Sequence, residues 1–95
     1  MIYLFEVIDK TGRKIRLPVE RWKHIVQEHP YLQDVEEIKE TVINPIKITL
    51  SKYDPEHVRY LYRFNKNLKK YLMVAIKYLN GDGFIITAFF RRTIQ

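Results

Sequence analysis

From Ile46 to Arg91 the side chains alternate, and that period of two constrains the fold more than any other feature. Ile46, Ile48 and Leu50 alternate with Lys47, Thr49 and Ser51. After the turn signal Tyr53-Asp54-Pro55-Glu56, Val58, Tyr60, Tyr62 and Phe64 alternate with Arg59, Leu61 and Arg63. A polar loop at Asn65–Lys70 leads into Tyr71–Leu79, and Asn80-Gly81-Asp82-Gly83 precedes Phe84–Arg91. Alternation of this kind between turn residues reads as half-buried β-strands in an antiparallel arrangement.

The first half of the chain reads differently. Ile2–Ile8 and Arg13–Leu17 flank Asp9-Lys10-Thr11-Gly12 and predict a hairpin. Pro18 suits the start of a helix. In the next stretch Trp22, Ile25, Val26 and His29 fall on one helical face, and Arg21, His24 and Glu28 form a polar stripe beside it. Pro30 disfavours the helical conformation at His29 and ends the segment. Asp34 and Glu37 have capping-box spacing, Val35, Ile38 and Val42 form the apolar stripe of a second helix, and Asn44-Pro45 stops it. The expectation is an α+β fold in one domain over residues 1–95. Its parts are a hairpin over 1–18, a helical pair over 19–44 and a four-stranded antiparallel meander over 46–92.

Which face of the meander lies under the helices depends on register. Tyr60, Tyr62, Phe64, Leu72, Val74, Ile76, Tyr78, Phe84, Ile86, Ala88 and Phe90 form the more apolar set. The opposite set carries Arg59, Arg63, Lys77 and Arg91 among Tyr71, Met73, Thr87 and Phe89. A three-residue last turn, with Gly83 left-handed, pairs Lys77 with Thr87 and keeps these cations together. A slip of one residue would invert the assignment.

Seventeen Lys and Arg against eleven Asp and Glu give a net charge of +6, which favours an anionic partner. Cations interleaved with aromatic rings suit a nucleic-acid backbone with its bases stacked alongside. The absence of cysteine removes disulfides, thiol catalysis and Cys-ligated zinc, and fits a reducing cytoplasm. Three glycines and no Gly-rich phosphate motif argue against a nucleotide-binding loop. No apolar run approaches the roughly 20 residues of a membrane span, so a membrane partner is not expected.

Metal-free RNA cleavage needs a base for the ribose 2′-hydroxyl, an acid for the leaving oxygen and a cation for the developing phosphate charge. His24, His29 and His57 are the available acids and bases, and Arg59, Arg63, Lys77 and Arg91 the available cations. His24 and His29, five residues apart, diverge on a helix and make a poor zinc site, so neither metal nor cofactor is expected. A structural role for these histidines, a silent RNA-binding face and a protein that docks on an acidic partner are the competing readings.

The order Trp22-x-His24-Ile25, His29-Pro30, Asn44-Pro45, Ser51, Asp54-Pro55, Leu61-Tyr62-Arg63, Tyr71-Leu72-x-Val74-x-Ile76-Lys77 and Gly83-(three residues)-Thr87-Ala88 resembles the phage-associated nucleases of the barnase–EndoU–colicin–RelE-like superfamily. The resemblance implies N-terminal helices, a four-stranded antiparallel sheet and a metal-independent endoribonuclease, often a toxin held by an antitoxin, here expected to be acidic. It points to His24, His29, Ser51, Tyr62, Arg63, Lys77 and Thr87 as site residues. Where such sequences are often acidic after His-Pro, this chain has Tyr31, and where Thr-Ala is often followed by Tyr it has Phe89. The role implied for Tyr62 conflicts with its place on the face assigned to the core.

Overall fold

The computed structural model describes residues 2–94; Met1 and Gln95 lie outside them. The elements run β1 (Tyr3–Ile8), β2 (Lys14–Pro18), α1 (Val19–Glu28), α2 (Val35–Ile43), β3 (Lys47–Leu50), β4 (Val58–Asn65), β5 (Lys70–Tyr78) and β6 (Asp82–Arg91). All six strands join one sheet in the order β1-β2-β6-β5-β4-β3. The expected fold, a separate hairpin beside a four-stranded antiparallel meander, is therefore corrected. Strands dominate, the two helices are short, and the hairpin extends the sheet through a parallel pairing of β2 with β6.

Two contacts explain that parallel pairing. Arg16 on β2 donates to Glu6 on β1 at 2.6 Å and to Asp82 on β6 at 2.8 Å, tying three strands together. Gly83 lies across from Ile15, and a Cβ on it would stand 2.8 Å from the Lys77 carbonyl oxygen and 3.1 Å from Ile15 Cδ1. Glycine is needed here for close approach. It is not the left-handed turn residue expected, because among the described residues the glycine with positive φ is Gly12.

Both helices cover one face of the sheet. Trp22 and Ile25 from α1, with Val35, Ile38 and Val42 from α2, pack on Phe5, Ile15, Leu17, Leu61, Leu72, Val74, Ile76, Ile85 and Ala88. Asp34 caps α2 by accepting from the amides of Glu36 and Glu37. At its other end Arg63 donates to the Asn44 carbonyl at 2.7 Å, a cation at the negative end of the helix.

The opposite face is open, and its membership differs from the expectation on two strands. Arg63 pairs with Leu72 and Phe64 with Tyr71, one residue away from the register that would keep Arg63 beside Tyr71. That slip inverts β4: Leu61 turns to the helices, Tyr60 and Tyr62 to the open face. On β6 the register shifts beside Ala75/Ile76, with Ile76 across from Ile85 and Ala75 across from Thr87. The additional residue, Ile86, is a bulge that changes the parity of the strand. Ile85 thus reaches the core, while Thr87, Phe89 and Arg91 still face away from the helices. Lys77 pairs with Phe84, not with Thr87.

Candidate nucleic-acid interface

A cleft of about 500 Å³ lies over the open face. Met73 and Ala75 of β5 form its floor, with Tyr60 and Tyr62 of β4 on one side and Thr87, Phe89 and Arg91 of β6 on the other. Thr49, Lys52 and Tyr53 line the side nearest β3. Among the described residues lining it there are two cations and no carboxylate. Aromatic rings, cations and hydroxyls on one concave surface can hold an anionic, ring-bearing polymer.

Tyr62 sets this cleft apart from an ordinary solvated sheet face. Its side chain is fully buried, yet its hydroxyl has no hydrogen-bond partner, and the same holds for the Thr49 hydroxyl. A buried hydroxyl left unpaired costs about 1–3 kcal/mol, so such groups call for a specific explanation. Ser51, by contrast, is well occupied. It accepts from the Tyr53 and Asp54 amides at 3.1 and 3.3 Å and from the Tyr60 hydroxyl at 3.4 Å, and so holds the turn that carries Lys52 and Tyr53.

The sequence-derived candidates divide between the two sides of the sheet. Tyr62, Thr87 and Arg91 line the cleft, and Ser51 adjoins it through Tyr60. Lys77 lies on the same face by strand alternation, half-buried and paired with Val58 at the cleft margin. His29 follows the end of α1 and packs its ring 5.3 Å from Phe89, at the cleft rim. His24 lies in the helical layer, exposed, with Nε2 2.8 Å from Glu28 Oε1, so the sheet separates it from Lys77. His57, also exposed, sits 3.0 Å from Asp54 in the turn before β4.

Arg59 and Arg63 leave the cationic group expected of them. The inverted register turns both toward the helix side. There Arg63 caps α2, and the Arg59 guanidinium lies 4.9 Å from the Tyr78 ring centroid. Arg13 stacks on the same ring at 5.1 Å, and the Tyr78 hydroxyl donates to the buried Asp9 carboxylate at 2.9 Å. Burial, then the hydrogen bond to Asp9, push the Tyr78 hydroxyl well above the ordinary tyrosine range.

Sequence reasoning missed Thr49, Lys52, Tyr53 and Tyr60 as cleft residues, while Phe89 lies on the face it assigned to cations and aromatic rings. The one available signal was the Lys-Tyr pair ahead of Asp54-Pro55; Tyr60 was hidden by the face assignment. A second groove, of about 750 Å³, runs along Tyr3, Pro18, Val19, Leu79 and Phe84 and is mostly apolar. None of the sequence-derived candidates lines it. Among the described residues no cluster of three or more His, Asp or Glu is placed to hold a metal ion, and no helix is long and apolar enough to cross a membrane. Comparisons with protein-family profiles, with characterised proteins and with solved structures find no match.

Proposed function

We propose that the chain binds single-stranded RNA in the open-face cleft and acts there as a metal-independent endoribonuclease. The observation that carries this reading is the unpaired, buried Tyr62 hydroxyl in a cleft edged by Lys52 and Arg91. Tyr62 is closed to solvent in the free chain, so the side chains over it part on binding for a phosphate or ribose oxygen to reach its hydroxyl, and Tyr60 and Phe89 offer rings for base stacking. Cleavage proceeds by attack of the ribose 2′-oxygen on the adjacent phosphorus, with rupture of the bond to the 5′-oxygen. The products are a 2′,3′-cyclic phosphate and a 5′-hydroxyl. Arg91 and Lys52, with Lys77 at the margin, balance the charge on phosphate, and Thr87 orients it. The proton carriers at the cleft are Tyr53, Tyr60 and Tyr62, which line it, and His29 at its rim. His24, across the sheet, is not the base in this arrangement. A toxin role would add an acidic antitoxin over the same cleft.

Binding without cleavage is the second reading, favoured by the separation of His24 from Lys77. Fluorescence anisotropy with a labelled oligoribonucleotide, read alongside product gels in the presence of EDTA, separates the two. RNA binding that weakens as salt rises, and that drops several-fold in Arg91→Ala and in Tyr62→Phe, is expected. Cyclic-phosphate products establish the enzyme, and intact RNA with retained binding establishes the second reading. Absence of binding at low salt overturns both.

A further inference from the structure

The sheet ends at β3, an edge strand covered by no other element among the described residues. The other edge, β1, is interrupted by a register shift between Tyr3 and Phe5, one of the devices that blunt an edge against pairing. No such irregularity occurs in β3, which pairs with β4 in unbroken register from Lys47 to Leu50. The Ser51 amide donates to the Val58 carbonyl, so by alternation Thr49 and Lys47 also direct their backbone groups to β4. Ile48 and Leu50 then present theirs to the free edge. Beyond that edge the helical layer gives no cover: α2 packs on β1, β4 and β5, and Ile46, Ile48 and Leu50 remain 58%, 44% and 58% exposed.

We infer that β3 pairs antiparallel with β3 of a second copy of this chain, about a two-fold axis at Thr49. The register is self-complementary. Ile48 lies opposite Leu50 of the other copy, and these are the residues whose free backbone groups exchange hydrogen bonds across the axis. Lys47 lies opposite Ser51, so no lysine directly faces a lysine. Thr49 faces its own copy as a close, non-hydrogen-bonded pair. Ile46, Ile48 and Leu50 of both copies merge into one apolar strip. The axis stands perpendicular to the sheet, so both helical layers lie on one side and both open faces on the other. The two clefts, each bordered by Thr49 and Lys52, become neighbours on one continuous surface. The dimer depends on the β3 edge and stands whether or not the cleft binds RNA.

Thr49→Cys tests the axis directly, because the chain has no other cysteine. The close cross-axis pair falls within disulfide range. Mild oxidation is expected to convert Thr49→Cys to a covalent dimer, whereas Lys47→Cys stays largely monomeric. Sedimentation of unmodified protein is expected to give twice the 11.6 kDa chain mass, with association strengthened by salt because both copies are cationic. The exposed double variant Ile48→Lys, Leu50→Lys is expected to sediment as a folded monomer, with foldedness read by circular dichroism. A unmodified chain that stays monomeric at submillimolar concentration, or equal cross-linking of the Thr49→Cys and Lys47→Cys variants, overturns the pairing.

Discussion

At Tyr62, stability and the proposed function pull in opposite directions. Its ring packs with Met73 and Ala75 on the open face while its hydroxyl, fully buried, has no partner. Removing that hydroxyl should cost the fold nothing and can help it. In Tyr62→Phe the denaturation midpoint is expected to hold or rise, by up to about 1 kcal/mol, while RNA affinity falls. A loss of both together would mark the residue as structural alone. Tyr78 is the contrasting case, a tyrosine whose hydroxyl is fully engaged, by Asp9, beneath the guanidinium groups of Arg13 and Arg59. Its folded-state pKa is raised above the ordinary value of 10.0 by burial and by Asp9. The proton it retains when folded is lost more readily when unfolded. Its contribution is therefore complete below pH 10 and declines as the pH climbs past that value. Wild type is expected to lose more stability than Tyr78→Phe between neutral and strongly alkaline pH, measured by denaturant titration at each pH. Parallel pH curves for the two would contradict this.

The elements were legible in the sequence, and their registers were not. Alternation and turn residues marked every strand, and Asp34 and Pro30 marked helix limits, because those signals are local. The β4–β5 register rests on how the Asn65–Lys70 connection closes, and two registers one residue apart bury similarly apolar sets. The choice between them moved Tyr60 and Tyr62 to the cleft and took Arg59 and Arg63 away from it. The Ile86 bulge was equally hidden, since a run of Phe84-Ile85-Ile86 is apolar at every position. Gly83 held the clue to the parallel β2–β6 pairing, but a glycine after Asn-Gly-Asp reads first as a turn. Its role can be checked. Gly83→Ala places a methyl against the Lys77 carbonyl and Ile15, and is expected to destabilise the domain by about 1–3 kcal/mol in chemical denaturation. Gly81→Ala, which has open space around the added Cβ, is the control, expected to change stability far less.

Across the whole molecule, one sheet separates two kinds of surface. The helical side is core, with the His24–Glu28 pair at its solvent edge. The open side holds the aromatic and cationic cleft, and the β3 edge lies next to it. In the proposed reading the net charge of +6 gives long-range attraction for a polyanion and the cleft supplies the local contacts, so a salt-dependent affinity is expected. The histidine-bearing helix lies on the side away from the cleft, apart from His29 at its end, which reaches the cleft rim through Phe89.

An amide-resolved NMR titration with a short single-stranded oligoribonucleotide tests the central claim, that RNA lies on the open face, most directly. The expected result is a continuous patch of shifted resonances over Thr49, Lys52, Tyr60, Met73, Thr87, Phe89 and Arg91, with His24 and Gln27 on α1 unmoved. Shifts centred on α1, or none at low salt, would contradict it.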